Sequence, residues 1–167
     1  MEWKDTITNH RLLLIVNPRS GARRGARVLD QVLPALSQAG RSVDVCQTVR
    51  AGDATEIARS RSLEEVGAVC LIGGDGTLHE VLNGLLTRED SLRPPLGIIP
   101  CGTGNTVAAD LGIHDPFQAV KCIVAGHTRP IDLLRVEMES GTAYCCNIVG
   151  WGAVTQISTD FLKLNRR

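Results

Sequence analysis

The chain has few aromatics, no excess charge of either sign, no metal-type cysteine spacing and no long apolar run, and each shortage excludes something. Aromatic residues are 3% of the 167, against 43% hydrophobic and 22% charged, which is a globular profile, neither disordered nor fibrous. Lys plus Arg and Asp plus Glu both total 18, so the net charge is zero and no global field draws the chain to nucleic acid or an anionic membrane. The longest apolar stretches, Leu12 to Val16 and Val66 to Ile72, fall far short of the roughly 20 residues that a bilayer span needs. Glu2, Lys4 and Asp5 stand where a signal peptide would carry its apolar core. The cysteines (Cys46, Cys70, Cys101, Cys122, Cys145, Cys146) form no CxxC pair and the histidines are scattered, so no zinc site is expected. Several of these thiols lie in apolar runs, as buried reduced cysteines do, which fits a cytoplasmic, reducing setting.

What is present is an alternation of short apolar strands and amphipathic stretches. The pattern predicts strands over Arg11 to Val16, Arg41 to Val49, Val66 to Ile72 and Leu96 to Ile99, with further strands near Ile131 to Val136 and Tyr144 to Val149. Helices are predicted over Arg23 to Gln38, kinked or split at Pro34 and stopped by Gly40, and over Asp53 to Ser60 with Asp53 as N-cap. Others follow at Thr77 to Leu86, Thr103 to Asp110 and Pro116 to Val124. Alternation of this kind points to an α/β three-layer sandwich: a mostly parallel sheet with helices on both faces.

Three glycine-bearing loops each follow a predicted strand, and so fall on the carboxyl edge where open α/β sheets bind ligands. They are Asn17-Pro18-Arg19-Ser20-Gly21, Gly73-Gly74-Asp75-Gly76-Thr77 and Pro100-Cys101-Gly102-Thr103-Gly104-Asn105. Backbone amides in such turns can converge on phosphate oxygens, and Ser20, Thr77 and Thr103 add hydroxyl donors. Helices starting after Gly76 and Gly102 would aim their positive ends at the same volume. One such turn is usually only a turn; three after successive apolar strands point to a polyphosphate ligand. The Walker A pattern, the dinucleotide fingerprint and the protein-kinase elements are all absent.

Asn17-Pro18-x-Ser20-Gly21, Gly73-Gly74-Asp75-Gly76-Thr77 with His79-Glu80 and Asn83-Gly84, and Pro100-x-Gly102-Thr103-Gly104-Asn105 resemble the catalytic domain of the diacylglycerol, sphingosine and ceramide kinase superfamily across roughly residues 10 to 152. Asn147-Ile148-Val149-Gly150-Trp151-Gly152 resembles the sphingosine and ceramide branch at the entry to its second domain. The resemblance implies a Rossmann-like fold of the phosphofructokinase and NAD-kinase type. It implies an N-terminal extension over 1–9, a nucleotide-binding catalytic domain over 10–137, and over 138–167 the beginning of a β-rich second domain that the chain truncates. It further implies ATP with Mg2+ as donor and a lipid hydroxyl as acceptor (of a sphingoid base, a ceramide or a diacylglycerol), reached by a cytoplasmic protein peripherally at a membrane surface. By the same resemblance Asn17, Pro18, Ser20, Gly21, Thr48, Gly73 to Glu80 (including Leu78 and His79) and Gly102, Thr103, Gly104 and Asn105 surround the nucleotide. Asp75 matches the aspartate assigned in sphingosine kinases as base for the acceptor hydroxyl. A carboxylate there could instead order Mg2+ or the turn. Glu80 reads as a helix-surface or loop-bracing residue; Arg19, Arg23 and Arg24 as phosphate contacts or a solvated face.

Two departures from the pattern stand out. The resembled family continues for a hundred or more residues as the acceptor-binding domain, and Gln156 replaces an acidic residue of the sphingosine branch, which weakens a sphingoid ammonium as ligand. Other readings are therefore a nucleotide-binding module without catalysis, and an NAD kinase or sugar-phosphate kinase sharing the Gly-Asp-Gly turn.

Overall fold

The computed structural model describes residues 4–5, 9–147 and 149. Gln156 and most of the Asn147 to Gly152 segment lie outside them.

Strand β2 (Arg11–Val16) is apolar from its second residue onward because it is covered on both sides. Its alternate side chains enter two different cores: Leu12, Leu14 and Val16 one, Leu13 and Ile15 the other. Strand β4 (Val66–Gly73) repeats the division, with Ala68, Cys70 and Ile72 against Val69 and Leu71. With β3 (Ser42–Gln47) and β5 (Leu96–Pro100) they form a four-stranded parallel sheet in the order β3-β2-β4-β5. Helices α2 (Gly25–Gln38) and α6 (Pro116–Ala125) cover the first face. Helices α3 (Asp53–Ser60), α4 (Asp75–Leu86) and α5 (Thr106–Asp110) cover the second. The expected three-layer α/β sandwich is present.

The strand order has a functional consequence. From β2 the chain moves outward to β3, then returns past β2 to β4 on its other side. The connections leaving β2 and β4 diverge to opposite faces, which opens a crevice between them at the carboxyl edge.

Several boundaries differ from expectation. Pro34 lies inside α2, which runs unbroken from Gly25 to Gln38; the ring sits on the exposed face and the helix neither splits nor stops there. The residues before α2 form instead a single turn, α1 (Ser20–Arg23), in which Gly21 and Ala22 take left-handed backbone angles. Asp53 is the first residue of α3 and not its N-cap, a position taken by Gly52 at φ 87. Its carboxylate reaches backward to accept from the N–H groups of Val49 and Arg50, at 2.8 and 3.0 Å. Helix α4 starts two residues earlier than expected, at Asp75, and α5 three residues later, at Thr106, because Asn105 takes a left-handed conformation and the glycine turn before it is not helical.

Beyond α6 the main sheet ends. A two-residue strand β6 (His127–Thr128) pairs antiparallel with β1 (Lys4–Asp5), and β7 (Leu134–Met138) pairs antiparallel with β8 (Gly141–Cys145). The last two were expected at Ile131 to Val136 and Tyr144 to Val149. They sit later and earlier respectively because the hairpin turns at Glu139 and Ser140. This hairpin begins a second sheet.

Candidate active site

Four loops leave the carboxyl edge of the parallel sheet and enclose a cleft of about 550 Å³. From loop one come Asn17, Arg19, Ser20 and Gly21. The loop after β3 supplies Thr48 to Ala51, with Ala54 behind it. Gly74 to Thr77 and Glu80 come from the start of α4, and Gly102, Thr103 and Gly104 from the loop after β5.

Each loop is fixed by hydrogen bonds to its neighbours or to itself. The Asn17 N–H donates to Ile72 O, continuing the β2–β4 ladder by one residue at 2.9 Å. The Asn17 side chain accepts from the Arg19 N–H at 3.1 Å and donates from Nδ2 to Thr77 Oγ1 at 3.2 Å, joining loop one to α4. Thr48 donates its N–H to Val16 O at 2.9 Å and is 8% exposed, so only an edge of this residue meets the cleft. On the far wall the Cys101 N–H donates to Gly73 O at 2.8 Å. Asn105 closes the third loop on itself, accepting from the Gly102 N–H at 2.7 Å and donating to Gly102 O at 2.9 Å.

Two glycines are required by close approach. A Cβ added to Gly74 would lie 2.8 Å from the Cα of Gly102, so the second and third loops meet backbone to backbone. Gly21, at φ 55, would place a Cβ 2.0 Å from Cys101 O, which brings loop one against loop three. Gly76 is different: nothing lies within 4 Å of its missing Cβ, which opens into space.

The carboxylates of the cleft brace it. Asp75 accepts from Thr106 N, Thr106 Oγ1 and Val107 N at 3.2, 3.3 and 3.5 Å. The first donors of α5 thus point at Asp75, and the start of α5 offers no free N–H fan to a ligand, contrary to expectation. Glu80 accepts at Oε2 from the Ala54 N–H at 3.2 Å, and its carbonyl accepts from Thr55 Oγ1 at 3.0 Å. It therefore braces the first turn of α3. The Asp53 carboxyl, lowered from the usual carboxylate value by the Val49 and Arg50 N–H groups, fixes the turn carrying the exposed rim residues Val49 and Arg50.

Of the residues singled out in the sequence, Asn17, Ser20, Gly21, Thr48, Gly74, Asp75, Gly76, Thr77, Glu80, Gly102, Thr103 and Gly104 line this one cleft. Pro18, Gly73, Leu78, His79 and Asn105 do not. Leu78 is a core residue at 3% exposure, Gly73 is buried against Thr77, His79 is exposed on α4, and Asn105 supports loop three from behind. Val49, Arg50, Ala51 and Ala54 line the cleft and were not picked out in the sequence. Their signal was positional: the loop after the second predicted strand falls on the same sheet edge as the other three.

The donor set suits a polyphosphate: glycine backbone, hydroxyls and the rim arginines Arg19 and Arg50, with only Asp75 and Glu80 acidic. Mg2+ bound through phosphate oxygens needs only one or two protein carboxylates, which Asp75 and Glu80 can supply. Among the described residues no cluster of three His, Cys, Asp or Glu side chains forms a metal cage of its own.

Comparison with known proteins agrees with this geometry. The diacylglycerol kinase catalytic domain family matches residues 11–136. The chain is 39% identical to sphingosine kinase 2 of Homo sapiens over 166 residues, covering 88% of this chain and 25% of that protein. To the diacylglycerol kinase of Bacillus subtilis it is 40% identical over 152 residues, covering 90% of this chain and 48% of that one. A crystal structure of a diacylglycerol kinase from Bacillus anthracis superimposes with a TM-score of 0.67 at 35% identity, over 75% of this chain and 42% of that one. The chain thus spans about half the length of the bacterial relative and a quarter of the human one.

Proposed function

This chain belongs to the diacylglycerol kinase catalytic domain family, and from that premise we propose that it is the nucleotide-binding part of an ATP-dependent lipid kinase. The observation that carries the reading is the convergence of four loops on one cleft at the topological switch point, walled by glycine backbone and hydroxyls. We take the parallel sheet with its helices as the nucleotide-binding domain and the β7–β8 hairpin as the start of the acceptor-binding one, which moves the boundary from the expected 138 to Leu134. The protein then acts in the cytoplasm, meeting its lipid peripherally at a membrane. No helix among the described residues is long and apolar enough to cross one.

The division of labour follows from position. Thr48 to Ala51 with Ala54 form the end of the cleft poor in glycine and suited to the base and ribose. The amides of Gly74 to Thr77, Thr103 and Gly104, with the hydroxyls of Ser20, Thr77 and Thr103, suit the phosphates. Asp75 stands where the second and third loops meet and receives the proton of the acceptor hydroxyl as its oxygen bonds to the γ-phosphorus. The bond from that phosphorus to the β–γ bridging oxygen breaks and ADP leaves. Glu80 would help hold Mg2+, which would supply charge neutralisation for the leaving group.

Calorimetric titration of ATP with Mg2+ tests the nucleotide half of this reading. Binding is expected for the native chain and lost in Gly76→Phe, whose ring would fill the cleft from a position where the fold leaves open space. A folded native chain that takes up no ATP would overturn it. Phosphorylation of sphingoid base, ceramide and diacylglycerol, with NAD and fructose phosphate as controls, tests the reaction. ATP binding without transfer to any lipid would leave a nucleotide-binding module.

A further inference from the structure

The Asn83-Gly84 pair on α4 takes no part in the cleft, yet both residues are committed. Gly84 faces α3 so closely that a Cβ would lie 2.4 Å from Thr55 O and 2.7 Å from Ala58 Cβ. Asn83 reaches the second sheet. Its Oδ1 accepts from the Tyr144 N–H at 2.8 Å, and its Nδ2 donates to Tyr144 O at 2.9 Å and to His79 O at 2.8 Å. Both peptide groups of one β8 residue are thus paired by one side-chain amide, which imitates a neighbouring strand on the β8 edge away from β7. Both donor hydrogens of Asn83 are used.

The segment after Tyr144 returns to the core. Asn83 lies eight residues beyond Asp75, about 12 Å along the helix. Two residues after Tyr144, Cys146 is half-buried against the core on the α4 side of the sheet. Burial pushes its thiol up, and the core it packs against includes Leu78, one turn along α4 from Asp75, and Val107, whose N–H the Asp75 carboxylate accepts.

We propose that Asn83 is a positioning residue: by clamping Tyr144 it sets the register in which the second sheet, through Tyr144 to Asn147, borders the Asp75 end of the cleft. Asn83 touches neither nucleotide nor acceptor. For the reaction it serves, the inference rests on the lipid-kinase reading; the clamp itself does not.

The test uses the full chain with Asn83→Leu, which keeps the volume and favours the helix, and Asn83→Asp, which keeps the acceptor for the Tyr144 N–H and loses the donor. Amide exchange at Tyr144 is expected to rise at least tenfold in Asn83→Leu and less in Asn83→Asp, with α4 and β4 unchanged. Bound ATP is expected to slow iodoacetamide alkylation of Cys146 severalfold in the native chain and not in Asn83→Leu, while ATP affinity stays within about twofold. Where lipid turnover is measured, kcat should fall tenfold or more with KM for ATP unchanged. Unchanged exchange at Tyr144 overturns the clamp. Cys146 labelling that ATP never alters overturns its link to the cleft. ATP affinity falling in step with Tyr144 protection overturns it too, since Asn83 would then shape the cleft itself. A native chain that binds no ATP sinks the functional reading instead, and the exchange measurement still decides the clamp.

Discussion

Asp75 and Thr106 are joined twice: the Asp75 carboxylate accepts both the N–H and the hydroxyl of Thr106, so the first residue of α4 holds the first residue of α5. The proposed base is thus also a brace between two glycine loops. Separate variants divide these roles. Asp75→Asn keeps an acceptor oxygen and loses the charge, and should lower transfer to a lipid by about 10²–10⁴ while weakening ATP binding less than about tenfold. Thr106→Val removes one strand of the brace and should leave transfer within about threefold. Equal losses in both variants, measured by lipid phosphorylation, would assign Asp75 to the brace alone.

Gly74 and Gly76 should respond in opposite ways to the same methyl group. In Gly74→Ala the new carbon meets Gly102 Cα at 2.8 Å and must part the second and third loops. A stability loss of about 1–3 kcal/mol is expected, with at least a tenfold loss of ATP affinity. Gly76→Ala meets nothing within 4 Å and lies in a helix, so stability should hold or rise by up to about 1 kcal/mol. Urea unfolding of the two variants checks the contrast.

Arg88 governs stability away from the cleft. It is 9% exposed, and its Nη1 lies 2.8, 2.7 and 2.8 Å from the carbonyls of Ala58, Arg59 and Arg61, at the C-terminus of α3, while Nε and Nη2 pair with Asp90. Arg88→Met preserves volume and leaves those carbonyls without their donor. A loss of about 2–4 kcal/mol in denaturant unfolding is expected, with ATP affinity of the folded fraction unchanged.

The Asp53 turn should be acid-sensitive. Its carboxyl titrates below the usual carboxylate value because the Val49 and Arg50 N–H groups bind the charged form. A depressed folded-state pKa stabilises above the unfolded value near 3.8, and that contribution is lost as pH falls through the folded one. The native chain should therefore exceed Asp53→Asn in unfolding midpoint at pH 7, and the gap should narrow below about pH 4. A gap independent of pH would mean that the charge does not hold this turn.

Legibility followed how local each signal was. Strands β2 and β4 were readable because burial on both faces leaves an uninterrupted apolar run. The glycine turns were readable because turn chemistry is written in adjacent residues. Helix starts were less so: Asp53 looks like an N-cap, but its carboxylate turns backward, and α5 waits until Thr106 because Asn105 closes the preceding loop. Leu78 and His79 sit inside a cleft-forming motif, yet helical rotation sends one into the core and the other to the surface.

From the sequence alone came the α/β alternation, the ligand-binding edge and most residues that line the cleft, since each depends on neighbours in the chain and on the fixed periods of strand and helix. Only the tertiary structure decided which loops touch, that Asp75 braces α5, that Glu80 braces α3, and that Asn83 carries the second sheet. Those pairings join residues tens of positions apart, and their geometry exists only once the strand order β3-β2-β4-β5 has brought the loops to one crevice.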